Sequence, residues 1–181
     1  MRCLRWVGLL VLLAVFMLTI GCSPAKEPER KPTVALRTAS SEVSVGEMFT
    51  VDVVVKQVKE LASIGVKVKY PVEKLEVTEL DRDDSWLSSN GGTVQQMEFS
   101  NNAEHGYVKI VLGIFPASKY VGDESQTEHR IASIKFKAIS VGDAALDLSI
   151  DNNEDSDLGI FDSHANLVSD VVDEDLTINI R

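Results

Sequence analysis

Hydrophobic and polar residues alternate along much of the chain beyond residue 33. The clearest case begins at Phe49, where Phe49, Val51 and Val53 recur at every second position and mostly polar residues fall between them. Alternation of this kind, rich in β-branched side chains, is typical of a half-buried β-strand. The pattern therefore predicts a strand over residues 49–55.

The same alternation predicts a second strand close behind the first. Val66 and Val68 share one face of it, whereas Lys67 and Lys69 share the other. Pro71 ends this strand, because proline lacks the backbone N–H that a strand donates to its neighbour. Further strands are predicted at 34–38, 75–77, 94–99, 107–114, 131–136, 144–150 and 176–180.

Short strands with turn residues every ~8–12 positions predict an all-β fold, an antiparallel β-sandwich with jelly-roll topology and about nine or ten strands. Residues 94–99 and 107–114 are predicted to form a hairpin with 100–102 as its connection. No helical periodicity stands out after the first 32 residues, and no repeat of ~20–50 residues indicates a solenoid.

Two segments carry a resemblance to a known family. Residues 44–77, SVGEMFTVDVVVKQVKELASIGVKVKYPVEKLEV, resemble the first third of a cohesin domain, the β-sandwich module that binds dockerins in cellulosomes. The family's aspartate after the tyrosine is missing, because Tyr70 runs directly into Pro71. Residues 130–146 resemble a later strand and glycine turn of the family, so the resemblance covers 33–181. The matching positions of the first segment are Val45, Gly46, Phe49, Val51, Leu61, Tyr70 and Leu75.

The resemblance implies a protein partner, because one flat sheet face of a cohesin receives the dockerin. The corresponding strands here lie near 63–70, 94–99, 107–114 and 144–150. With two lysines on this face of an otherwise acidic protein, we expect an acidic patch of the partner to contact it. A plain solvated face is the alternative. The predicted partner-binding face carries Lys67, Lys69, Gln96, Glu98, Tyr107 and Lys109.

The first 32 residues have the pattern of an export signal and a tether. Two arginines precede an apolar run at 6–20, which is too short for a comfortable membrane span and predicts a signal peptide over 1–21. Gly21 and Cys22 resemble a bacterial lipobox, although Thr19 stands where an aliphatic residue is usual. We therefore expect a lipidated Cys22 and a flexible tether over 22–32 ahead of the domain at 33–181. An ordinary signal peptide with a coincidental cysteine is the alternative.

This organisation predicts an exported lipoprotein of the outer membrane, periplasm or cell surface, which contacts the membrane through its N-terminal lipid only. The net charge of −10 becomes −12 when a leader with two arginines and no acidic residue is removed. Such a negative charge argues against nucleic acid and anionic lipid surfaces as ligands. Cys3 and Cys22 are the chain's two cysteines, so the predicted domain contains no disulfide.

Catalytic motifs are absent from the sequence. His105, His129 and His164 fall in predicted loops without metal-ligand spacing, and no HExxH, GxSxG or P-loop pattern occurs. We therefore expect a non-catalytic protein without a cofactor.

The acidic loop after residue 150 is a weak calcium candidate. Asp151, Asn153, Asp155 and Asp157 alternate like the ligands of an EF-hand loop, and Asp162 occupies its twelfth position. Ser156 replaces the required glycine, however, and the bidentate glutamate is missing. We therefore expect a solvated turn between strands rather than a high-affinity calcium site.

Aromatic residues suggest a carbohydrate as a second kind of ligand. Trp86, Tyr107 and Tyr120 are the candidates for stacking on a sugar ring, although they come from separate segments and could instead pack in loops or the core. The resulting hypothesis is a non-catalytic cell-envelope lipoprotein whose cohesin-like module docks a dockerin-like partner, in the service of polysaccharide degradation. A carbohydrate-binding module and a periplasmic structural or assembly lipoprotein are the alternatives.

Overall fold

The computed structural model describes residues 31–181, so the predicted signal peptide and Cys22 lie outside the described residues. This part of the chain contains fourteen β-strands and a short 3₁₀ helix at Ala117–Lys119, and no helix in it is long and apolar enough to cross a membrane. The strands are β1 (Thr33–Thr38), β2 (Glu42–Val43), β3 (Met48–Lys56), β4 (Val58–Leu61), β5 (Ser63–Lys69), β6 (Leu75–Arg82), β7 (Thr93–Asn102), β8 (Tyr107–Phe115), β9 (Val121–Asp123), β10 (His129–Ala138), β11 (Gly142–Ser149), β12 (Gly159–Phe161), β13 (Val172–Glu174) and β14 (Leu176–Ile180).

The strands form two packed sheets. The first has the order β13-β1-β3-β10-β6, and the second has the order β2-β14-β11-β5-β8-β7 with β12 beside β5. Strands β4 and β9 form a small separate pair. The predicted all-β sandwich is confirmed, with two differences. The β1–β13 and β2–β14 pairs are parallel, and several two- or three-residue strands raise the count above the predicted nine or ten.

Strands that follow one another in sequence do not pair in the first part of the chain. Strand β3 pairs with β1 and β10, whereas β5 belongs to the other sheet and pairs with β8, β11 and β12. Strand β6 then returns to the first sheet beside β10. This exchange lets each sheet cover the apolar face of the other.

The alternation seen in the sequence sets the core. Val51 and Val53 of β3 are fully buried, as are Val66 and Val68 of β5, so the predicted inward faces of both strands are confirmed. Phe136 of β10 lies among them, and its ring stacks on Phe49 at a centroid distance of 5.7 Å. Burial of each large aliphatic or aromatic side chain contributes roughly 1.5–3 kcal/mol. The buried residues of this core lie between Val34 and Ile180.

The predicted hairpin is present as β7 and β8, with a longer first strand. Strand β7 continues to Asn102, so residues 103–106 make the connection instead of 100–102. Gly106 is required there, because its φ is +66° and an added Cβ would lie 2.5 Å from the Tyr70 carbonyl oxygen. Near the middle of β7, a β-bulge at Met97 shifts the pairing with β8.

On the outward surface of the second sheet, the chain leaves the sheet after β11 and returns to it at β12. Strand β11 pairs with β5 as far as Ser149, and β12 resumes pairing at Gly159, opposite Gly65. The residues between them, 150–158, are called the acidic segment below. Its backbone lies directly on β5, since a Cβ added to Gly65 would be 1.7 Å from the Asp157 carbonyl oxygen.

Candidate functional site

The outward surface of β5, β8 and β7, called the outer face below, gathers five of the six residues predicted for partner binding. Lys67 lies opposite Lys109, and Lys69 lies opposite Tyr107 in the β5–β8 register. Glu98 of β7 lies opposite Val111 on the same side. The alternation of β5 therefore places its lysines as the sequence predicts.

Gln96 is the exception, and its predicted position is corrected. It pairs with Leu112, whose side chain is in the core, whereas Glu98 pairs with outward-facing Val111. The bulge at Met97 adds one residue between them, so Gln96 and Glu98 belong to opposite sides of the sheet. Gln96 is exposed because β7 is an edge strand.

Lys109 does not present an exposed positive charge on this face. Its side chain is only 10% exposed, and its Nζ lies 2.8 Å from Asp155 Oδ2, 3.2 Å from Glu98 Oε2 and 3.3 Å from Asp157 Oδ2. The hydrogen bond to Asp155 is the largest cause that raises the pKa of Lys109. The same bond lowers the pKa of Asp155. The acidic segment and β8 are thus joined by ion pairs on the outer face.

The two lysines of β5 are paired with the same segment. Lys69 Nζ donates to Glu154 Oε1 at 2.8 Å, and Lys67 Nζ lies 3.8 Å from Glu154 Oε2. The pKa of Glu154 is lowered, first by the hydrogen bond from Lys69 and next by the one from Ser149. The Lys67 side chain is 14% exposed. Of the three lysines, Lys69 alone presents about half of its side chain to solvent.

The side chains proposed as calcium ligands take part in separate contacts in the structure. The carboxylates of Asp155 and Asp157 contact Lys109, and Asp151 accepts hydrogen bonds from the backbone and side chain of Asn153. Asp162 accepts from the backbone of a separate turn at 164–166. Residues 31–181 contain no group of three or more His, Cys, Asp or Glu placed to hold a metal ion. The absence of high-affinity calcium binding stays a prediction, to be checked by calorimetry.

Next to the lysines, the outer face contains an apolar groove of about 680 Å³ that the sequence reasoning missed. Met97 and Phe115 stand at its β7–β8 side and are 61% and 63% exposed. The available signals were Met97, which interrupts the alternation of β7, and an aromatic residue directly before Pro116. The residues that line the groove include Met97, Val111, Gly113, Phe115, Asp157, Phe161, Asp162 and His164.

The three aromatic candidates for sugar binding do not form one platform. The Trp86 ring stacks on His129 with centroids 4.3 Å apart, beside the first sheet. Tyr107 belongs to the outer face, where its hydroxyl accepts a hydrogen bond from Asn102. Tyr120 follows the 3₁₀ helix and offers its backbone carbonyl to Asn90.

His129 also has a charged partner. Its Nε2 lies 2.8 Å from Asp123 Oδ2. The pKa of Asp123 is lowered to about 2, first by hydrogen bonding from Ser125 and next by His129. The Trp86–His129–Asp123 group therefore joins the loop after β6 to β9 and β10. The other two histidines, His105 and His164, are exposed in loops.

Comparison with solved structures gives the same fold repeatedly. A type II cohesin domain from the cellulosome of Acetivibrio cellulolyticus superposes with a TM-score of 0.65 at 15% identity, covering 82% of this chain and 95% of that one. A non-cellulosomal cohesin from the archaeon Archaeoglobus fulgidus gives a TM-score of 0.57 at 20% identity, covering 83% and 91%. The third cohesin ScaC of Acetivibrio cellulolyticus, in complex with the ScaB dockerin, gives 0.61 at 14% identity, covering 82% and 98%.

A search among curated proteins finds no match. The family model of the cohesin domain, in contrast, matches residues 32–180, which span both sheets and the whole core. The resemblance predicted from residues 44–77 and 130–146 is thereby confirmed. The chain belongs to the cohesin domain family.

Proposed function

We propose that this chain is a non-catalytic docking module that binds a dockerin-like protein on the outer face of β5, β8 and β7. Structures of similar fold include cohesins in complex with dockerins, which supports a partner of this class. The observation that carries the proposal is the exposure of Met97 and Phe115 beside the apolar groove. Large apolar side chains grouped on one surface are typical of a protein interaction site.

The rigidity of the face also supports docking. Strands β5 and β8 pair over seven consecutive residue pairs, and the inward side chains of both strands are buried in the core. A surface fixed in this way needs little rearrangement on binding. The partner would therefore meet a preformed groove.

We further propose that the module acts at the cell envelope. The support is the sequence alone: a leader that ends at Gly21, Cys22 for lipidation, and a proline-containing tether before β1. A lipid at Cys22 would anchor the domain through the tether and leave the outer face free to bind a soluble partner. The proposed role of this docking is in polysaccharide degradation.

Binding of residues 23–181 to a panel of purified dockerin domains, measured by surface plasmon resonance, tests the docking function. We expect at least one dockerin to bind, and Phe115→Asp to weaken it by about tenfold or more, since a buried charge would replace an apolar contact. Met48→Asp is the matched control, because Met48 is 57% exposed on the other sheet. Equal losses in both variants, or no binding by any dockerin, would contradict the proposal.

A further inference from the structure

The positive charges of the outer face are already neutralised within the chain. Lys67 and Lys69 share Glu154, and Lys109 contacts three carboxylates, those of Glu98, Asp155 and Asp157. Three lysine charges against four carboxylate charges leave this cluster with a net charge of −1. The lysines therefore do not provide a free positive patch for an acidic partner.

The acidic segment is a fixed part of this face. Leu158 at its end is fully buried, and the Asn152 side chain donates to the carbonyl oxygens of Ser156 and Leu158 at 2.7 and 3.0 Å. Its backbone also occupies the space above Gly65. An acidic partner that competed for the lysines would have to displace their present carboxylate partners, and only Lys69 has about half of its side chain exposed.

The groove itself is lined by acidic side chains. Asp157 and Asp162 line it, and within residues 31–181 no lysine or arginine does. The Asp157 side chain is 60% exposed even though it contacts Lys109. Hydrogen bonds from Asn166 lower the pKa of Asp162, which favours the ionised form of this carboxylate. Apolar Met97, Val111 and Phe115 line the same groove as these two carboxylates.

We propose that the groove binds a basic partner surface, which inserts apolar side chains against Met97, Val111 and Phe115 and places Lys or Arg beside Asp157 and Asp162. The proposal rests on the docking function and specifies the chemistry of the partner. It reverses the expectation from sequence that Lys67 and Lys69 contact an acidic patch, because complementary charges across an interface attract and like charges are costly.

A selection experiment tests this surface chemistry without a known partner. Residues 23–181 serve as bait for a yeast-displayed library of three-helix scaffolds in which surface positions encode acidic, basic and apolar residues at equal frequency. We expect the selected binders to combine apolar residues with Lys or Arg. Met97→Asp should weaken them about tenfold or more, whereas the control Met48→Asp should leave them unchanged.

Charge variants complete the test. Asp157→Asn and Asp162→Asn should each slow association several-fold at low salt, with a smaller effect at high salt, because rim charges act mainly on the association rate. Lys69→Glu should not weaken the same binders. Binders rich in Asp or Glu that depend on Lys69, or a selection in which none is sensitive to Met97→Asp, would overturn the proposal.

The two proposals can fail separately. If no dockerin binds but the library yields groove-dependent basic binders, the dockerin-like partner is wrong and the groove chemistry stands. If a dockerin binds through Lys69 and is indifferent to Asp157→Asn and Asp162→Asn, docking stands and the basic partner is wrong.

Discussion

Removing the positive charge of Lys109 should destabilise the fold measurably. Lys109→Met keeps most of the length and apolar volume of the side chain but leaves Glu98, Asp155 and Asp157 facing one another around a buried position. Loss of one partner from a buried charge pair costs ~3–5 kcal/mol. Because the Glu98 and Asp157 side chains are 38% and 60% exposed, water screens part of the repulsion. We therefore expect a loss of about 2 kcal/mol at pH 7.

Thermal unfolding of residues 23–181, followed by calorimetry, measures this loss. For a domain of about 150 residues, 2 kcal/mol corresponds to a decrease in Tm of roughly 4–8 °C. Lys69→Met is the matched control, because Lys69 is 48% exposed and pairs with Glu154 alone. Its expected effect is below ~1 kcal/mol, the range of surface ion pairs. Equal Tm values for Lys109→Met and Lys69→Met would refute the reasoning.

The pH dependence of the same experiment follows from the pKa shifts. The pKa of Asp155 is lowered from its ordinary 3.8, so its contribution is present above pH 3.8 and is lost as the pH falls through the folded-state value. The pKa of Lys109 is raised from 10.5, so its contribution is present below pH 10.5 and is lost as the pH rises through the folded-state value. The difference between wild type and Lys109→Met should therefore stay constant near neutral pH and shrink in strong acid.

Three further changes probe the acidic segment, the aromatic group and the N-terminus. Gly65→Ala should cost ~1–3 kcal/mol and speed amide hydrogen exchange in the acidic segment, because the new Cβ would lie 1.7 Å from a carbonyl oxygen of that segment. In residues 23–181, Trp86 is the one tryptophan, so its fluorescence emission should shift in His129→Ala, because the ring that stacks on it with centroids 4.3 Å apart would be removed. Cys22→Ala should leave the protein soluble or unprocessed after cell fractionation, because a lipid anchor would be lost.

Controls for these changes are available in the chain. Gly113→Ala should be tolerated better than Gly65→Ala, since the atom nearest its Cβ would be the flexible end of Met97 at 3.0 Å. His105→Ala should leave the Trp86 emission unchanged, because His105 is exposed in a loop, and equal shifts in both histidine variants would contradict the stacking argument. A mature Cys22→Ala protein that still fractionates with membranes would show that the anchor lies elsewhere.

Local pattern determined the β-strands and their inward faces. The side chains of a strand alternate strictly, so Val51 and Val53, or Val66 and Val68, identify a buried face without knowledge of the partner strand. The same pattern placed Lys67 and Lys69 on the opposite side. With the matching positions from Val45 to Leu75, it was enough to predict the fold and the family.

Tertiary structure decided what the outer face presents. The Met97 bulge moved Gln96 off the face, and such an irregularity depends on how β7 packs on β8 rather than on alternation. Glu154 meets Lys69 across 85 residues of sequence, and Asp157 meets Lys109 across 48. Contacts between residues so far apart follow from where β11 leaves β5 and β12 returns to it. That path pairs the predicted lysine surface with carboxylates and places it beside an apolar groove with an acidic rim.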